Sequence, residues 1–230
     1  MFGRFGFFLS KLLASMFSVE EDDDDDGIVW ADTTKPRTLS SQIHEKCVES
    51  KFDDRRDKFL PAGCVDTLIT REAIEDSIPN QFPLETYQTL INFVLWEAKV
   101  VFAITIDSCF EEGGIELAFG TYHLMKVRLT DASLPATEDH LKGLVAKFKG
   151  KTPWHQARIE KFCEAQWRFL APVFSTKNFK HDLEPRRILP FIEKASSTKQ
   201  GAFGKVFRVT VHEHHYLNPI RSVSPLYSIA

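Results

Sequence analysis

Apolar residues in this chain follow one spacing from Leu60 to Pro172 and another from Ile188 onward. In the first stretch they recur every three or four residues, the period of a helix face. After the turn Leu60-Pro61-Ala62-Gly63, the segment 66–78 carries Leu68, Ile69, Ala73 and Ile74 near helical spacing, and Pro79 closes it. Residues 84–110 are strongly apolar, with Leu90, Ile91, Val94, Leu95, Ala98, Val101, Phe102 and Thr105. The β-branched run 100–106 makes strand a competing reading there, and length favours a buried helix. Gly113-Gly114 breaks the run. Ile115, Ala118, Phe119, Tyr122 and Met125 then form a helical stripe. Leu141, Leu144, Val145 and Phe148 form a shorter one, with Thr137 placed to cap its start and Gly150 to end it. Thr152-Pro153 predicts a helix start with proline at the first helical position. Ile159, Phe162, Cys163, Phe169 and Leu170 then share a face flanked by Trp167, and Pro172 stops the helix. Residues 60–175 therefore predict a bundle of four or five helices.

From Ile188 the period falls toward two. Ile188-Leu189-Pro190-Phe191-Ile192 reads as a strand, and Gly201-Ala202-Phe203-Gly204 as a turn. Phe207, Val209 and Val211 then alternate with Val206, Arg208, Thr210 and His212. Two strands alone bury too little to be stable, so the hairpin must lean on the helix over 154–170. The free edge of its second strand is a place for a partner to pair. Asn218-Pro219 and Ser224-Pro225 break any regular element near the C-terminus. The predicted architecture is mainly α, a small helical bundle followed by a C-terminal β-hairpin. Residues 1–58 are an apolar segment and disordered acidic linker, 59–187 the helical domain, 188–217 the hairpin, and 218–230 an unstructured tail.

Charge sharpens this division. Residues 1–140 hold 13 Lys/Arg against 26 Asp/Glu, and residues 141–230 hold 16 against 6. Solvated helix faces account for most of that asymmetry, and a basic half can also dock an acidic partner. No basic block with interleaved aromatics argues for nucleic acid. Glu20 to Asp26 are seven consecutive acids, which repel and predict disorder. The first 18 residues are rich in Phe and Leu but too short to span a bilayer, and Lys11 interrupts them. Surface association of residues 1–18 with a membrane is the lesser reading, beside a short helix or a tail. Glu97 and Lys99 argue against a span in the 84–110 run. Cys47, Cys64, Cys109 and Cys163 lack paired spacing, which predicts reduced thiols in the cytoplasm or nucleus.

Candidate chemistry is sparse. His44 with Cys47 is too thin for a zinc site. His212 and His214 share a strand face but lack further ligands, so His212, His214 and His215 read as a solvent-facing hairpin end. Glu111-Glu112 have no facing partner for acid–base work. The glycine turn is the one motif with a chemical precedent. With Val206 it resembles the glycine-rich loop that bends over ATP in protein kinases, Gly201 and Gly204 standing at the second and third glycine positions. Lys199 stands at the first, a departure from the pattern. Around it, the run Gln166-Trp167-Arg168-Phe169-Leu170-Ala171-Pro172-Val173-Phe174 and the later Ile188-Leu189-Pro190-Phe191 resemble the region before the catalytic domain of fungal protein-kinase-like proteins. The similarity covers roughly residues 60–215. It implies Ser/Thr kinase chemistry with ATP and magnesium, and Gly201, Ala202, Phe203, Gly204 and Val206 as nucleotide-binding residues. The lysine-bearing strand, His-Arg-Asp and Asp-Phe-Gly motifs of such kinases are missing from the 230 residues, so the resemblance implies a truncated, catalytically inactive relative. The alternative is a stand-alone helical module that binds another protein.

Overall fold

The computed structural model describes residues 38–52, 54–108, 114–147, 152–175, 177, 183–195, 199–201, 204–217 and 226–229. Expectations for residues 1–37, for Cys109, Glu111-Glu112, Phe148 and Gly150, and for Ala202 and Phe203 lie outside them. The fold is mainly helical, with a small sheet toward the C-terminal end.

Folded structure starts before Phe59, which corrects the linker reading over 38–58. Helix α1 (Leu39–Lys46) opens on Thr38, whose Oγ1 accepts from the Ser41 N–H at 3.2 Å. Leu39 and Ile43, one turn apart, are buried. Strand β1 (Val48–Glu49) pairs antiparallel with β2 (Lys58–Phe59). Two apolar residues on one turn are too few to register as a periodic pattern. The segment is held by tertiary contact instead.

The predicted helix over 66–78 is two short ones, α2 (Cys64–Leu68) and α3 (Arg71–Ser77). Thr70 separates them and caps the second, its Oγ1 accepting from Ala73 N–H. The 84–110 run is helical but also divided. Helix α4 (Leu84–Glu97) and α5 (Lys99–Asp107) meet at Ala98 with a bend of 102°. Among the described residues no single helix is long and apolar enough to cross a membrane, and this bent pair passes only when taken together. Six consecutive residues, Val101 to Ile106, are buried. An all-round apolar helix is a core helix, and α5 packs against α1, α2 and α4.

Helix α6 (Ile115–Val127) follows Gly114, whose φ of 88° suits glycine and whose N–H donates to Ser77 O. Helix α7 (Glu138–Val145) starts on Thr137, whose Oγ1 accepts from His140 N–H as its position predicts. Helix α8 (Gln156–Phe169) begins later than Thr152-Pro153 suggested. Thr152 Oγ1 instead accepts from Trp154 N–H, and Trp154 turns into the core. Its Nε1 donates to Gly120 O at 3.1 Å and its ring meets Phe162 edge-on. One apolar cluster runs through all the helices from α1 to α8.

Beyond α8, strand β3 (Phe174–Ser175) runs parallel to β7 (Tyr216–Leu217). The hairpin arm consists of β4 (Phe191–Lys194) and β5 (Lys199–Gly201), both antiparallel to β6 (Gly204–Val211). On its other edge β6 pairs with β8 (Leu226–Ile229). This corrects two expectations. Residues 226–229 are a strand, and the edge of β6 between Phe207 and Thr210 is paired along its own chain. Leu226-Tyr227-Ser228-Ile229 is too short for alternation to reveal it, and the β6 template supplies the missing stability.

Candidate functional site

The glycine turn sits at the tip of β5 and β6. Gly201 pairs with Gly204, Gln200 with Lys205 and Lys199 with Val206. Farther along β6, Arg208 and Thr210 share one parity. Arg208 is exposed, and Thr210 donates to Glu193 Oε2 at 2.9 Å. That parity therefore leads to a polar surface. The opposite parity leads to a second, separate apolar cluster of Phe174, Phe191, Val209 and Val211. Phe174 and Phe191 stack at 5.9 Å, and Phe52 meets Phe191 edge-on at 5.7 Å.

Hydrogen bonds tie this sheet to the segment around β1. Lys51 N–H donates to Phe191 O at 2.7 Å, and Ser50 Oγ donates to Leu189 O at 2.6 Å. Lys194 Nζ donates to Phe52 O and stands 4.2 Å from the Phe207 ring centroid. Two strands that alone would be marginal are thus held by a third strand and by the β1 segment.

Strand β8 carries Leu226, Tyr227, Ser228 and Ile229 and no lysine to reach a phosphate. Among the described residues no group of three His, Cys, Asp or Glu could hold a metal ion.

The histidine run corrects the sequence reading most sharply. A 3-10 turn over Glu213–His215 rotates His215 inward, where it is 1% exposed. Its Nε2 accepts from Ala62 N–H at 3.0 Å, and its Nδ1 lies 3.0 Å from Pro172 O. A carbonyl only accepts, so Nδ1 carries the proton and the imidazole is neutral. Phe59, fully buried, meets both His212 and His215 edge-on, at 5.7 and 5.2 Å. Burial, more than the neighbouring His212 and His214, pushes the His215 pKa down. Only His214 and Glu213 are exposed as expected of a hairpin end. Three adjacent polar residues give no local sign that one of them faces the core.

The Gln166-Trp167-Arg168 run is structural. Gln166 is 1% exposed and hydrogen-bonds the backbone of Ala136. Trp167 is 8% exposed, and its Nε1 has no hydrogen-bond partner among the described residues. Arg168 Nη1 holds the buried carboxylate of Asp107 at 2.5 and 2.6 Å. Cys163 and Trp167 border an open cleft of about 500 Å³ that Glu160, Glu164 and Arg186 also line. Burial pushes the Cys163 thiol up to about 11 and the Cys47 thiol up to about 11, so neither is a ready nucleophile at neutral pH.

No protein-family model, curated protein or solved structure matches this chain.

Proposed function

We propose that this chain is a catalytically inert, kinase-like protein of the fungal type its sequence resembles. In this reading a helical domain presents a docked glycine-turn hairpin and works by binding rather than by phosphoryl transfer. The observation that supports it most is the facing pair Gly201 and Gly204 at the tip of an antiparallel hairpin, joined on the far edge by the third strand β8. Gly201, Ala202, Phe203, Gly204 and Val206 would then touch nucleotide from one side only. Real sites enclose most of a ligand, roughly 70–90% of its surface. Affinity for ATP is therefore weaker than about 100 µM, on the order of −5.5 kcal/mol. Phosphoryl transfer also needs a lysine on the phosphates, a catalytic aspartate and metal-binding side chains, and the kinase motifs that carry them do not occur in these 230 residues. Cytoplasm or nucleus is the compartment that goes with this reading.

The second reading is a helical interaction module without nucleotide binding. Trp96, at the C-terminal end of α4, favours it, since it is 84% exposed. Exposed tryptophans are enriched where proteins bind proteins. Hydrogen exchange of the full chain with and without millimolar magnesium–ATP separates the two. Slowed exchange confined to the β5–β6 turn, with no turnover of a generic Ser/Thr substrate, supports the kinase-like reading. Unchanged exchange there moves the interaction module ahead. Turnover that Gly201→Val abolishes would refute inertness.

A further inference from the structure

We propose that His215 is an acid-released clasp: its neutral imidazole fastens the turn between β6 and β7 to the helical domain, and protonation frees that turn while the β1 segment still holds β4.

The geometry builds this device from three segments. His215 belongs to the turn between β6 and β7. Its Nε2 accepts from Ala62, in the loop that leads into α2, and its Nδ1 faces the Pro172 carbonyl beyond α8. Both ring nitrogens are committed, and in one tautomer only. A proton added to Nε2 would set one N–H donor against the Ala62 N–H. The buried amide would lose its acceptor, and the charge would sit in a site 1% exposed to solvent. A buried amide without its acceptor and a charge buried with no counterion are both unfavourable. The ring must leave the site to hold the proton.

The consequence is local because the described residues form two apolar cores. The helices share one cluster, and Phe174, Phe191, Val209 and Val211 form another. Phe59 fills the space at the joint, edge-on to His212 and His215. Losing His215 from its site opens this joint and the short β3–β7 pairing beside it. The helical core keeps its own contacts.

The charged and titratable groups around the ring agree with this direction. His212 and His214, on its own turn, repel a proton on it. Glu213 is exposed and acts on His212. Lys58, beside Phe59, is exposed. The Leu60–Gly63 and Leu170–Val173 segments carry no ionisable side chain. The carbonyls of Pro172 and Leu60 favour the charged ring, and burial outweighs them. A histidine that is neutral when docked and free to protonate when released loses docking stability below its ordinary pKa near 6.5.

The test uses the full chain. Imidazole NMR should find His215 as the Nδ1–H tautomer at pH 7.5. Hydrogen exchange over 212–217, corrected for intrinsic rates, should accelerate relative to α5 by up to about tenfold per pH unit below 6.5, the limit for one linked proton. His214→Ala should keep that dependence and His215→Gln should abolish it, whether its turn is docked or free. The proposal is overturned by a His215 that protonates with the turn still protected. It is equally overturned by His215→Gln retaining the parent's pH dependence.

Discussion

The side-chain amide of Gln166 pairs with both backbone groups of Ala136. Its Oε1 accepts from Ala136 N–H at 2.8 Å, and its Nε2 donates to Ala136 O at 2.9 Å. The same Nε2 donates to Cys163 O at 3.0 Å, one turn back on α8. The segment between α6 and α7 is thereby fastened to α8 by a side chain rather than by a strand partner. Gln166→Ala leaves the buried Ala136 N–H without a partner and its C=O with only the weak Cys163 Sγ–H donor at 3.7 Å, at a cost of about 1–3 kcal/mol for an unpaired group. Urea unfolding should show a loss of that size. Gln156→Ala, on the exposed start of the same helix, should stay within about 0.5 kcal/mol. Equal midpoints for the two variants would show the Ala136 pairing to be dispensable.

Two tryptophans of similar burial should respond differently to the same change. Trp154 Nε1 donates to Gly120 O, whereas Trp167 Nε1 has no partner among the described residues. Truncation of either to alanine opens a cavity, at about 3–5 kcal/mol. Replacement by phenylalanine separates them. Trp154→Phe breaks a buried hydrogen bond and should lose about 1–3 kcal/mol more than Trp167→Phe, which removes an unpaired donor. Thermal melts rank the four variants. A Trp167→Ala protein that melts within a degree or two of the parent would mark Trp167 as a docking residue instead of a core one.

What could be read in the sequence was local. The helix from Ile115 to Met125 and the cap at Thr137 are complete within a few residues, and both are observed, although the buried side of that helix centres on Leu117, Thr121 and Leu124 and leaves Ile115 and Tyr122 half-buried. The break at Ala98 has no proline or glycine to announce it. The β-branched run after it is helical because both of its sides are buried. The important polar contacts join residues far apart in the chain. Gln166 reaches back 30 residues, Arg168 reaches 61, and His215 reaches 153. No periodicity reports such pairs. The glycine turn was legible as a turn, and its surroundings were not, because β8 reads as tail until β6 provides an edge for it.

Acid should weaken the helical domain through a second histidine. His123 of α6 lies with Nδ1 3.1 Å from Thr152 Oγ1, and burial pushes its pKa down to about 4. Unfolded, it titrates near 6.5. Between these values the unfolded chain binds the proton and the folded chain does not, so stability falls as pH falls. The contribution is complete above about 6.5 and is lost progressively toward pH 4. Urea midpoints of the parent at pH 7.5 and 5, compared with those of His123→Gln, isolate this share. An identical pH dependence in the variant would assign the loss to other groups.

Asp131 caps α5 from a distant turn. Its Oδ1 accepts from Val101 N–H at 2.9 Å, and the amides of Val100 and Lys99 also face it. Burial nevertheless raises its pKa, outweighing these donors. The acceptor therefore matters more than the charge. Asp131→Asn, which keeps an oxygen acceptor, should cost less than half of what Asp131→Ala costs. The alanine variant should lose about 1–2 kcal/mol, as other lost helix caps do. The order reverses if the charge itself holds the helix end.

The Asp107–Arg168 pair joins the end of α5 to the end of α8. The Asp107 side chain is 2% exposed and that of Arg168 28% exposed, with Nη1 2.5 Å from Oδ2. His44 Nε2 approaches the same carboxylate at 3.3 Å from α1. The Arg168 backbone carbonyl accepts from Leu60 N–H at 2.8 Å, so the residue also anchors the loop before α2. Removing one partner leaves a buried charge without its counterion, which typically costs about 3–5 kcal/mol. Removing both charges with shape preserved is often close to neutral. Arg168→Met alone should therefore be severely destabilising, while Asp107→Asn with Arg168→Met should recover most of the loss. A double-mutant cycle by chemical denaturation measures the difference. Strong coupling places the stability in satisfying the Asp107 carboxylate. If the two losses simply add, Arg168 acts through the packing of its aliphatic stem, and His44 suffices to hold Asp107.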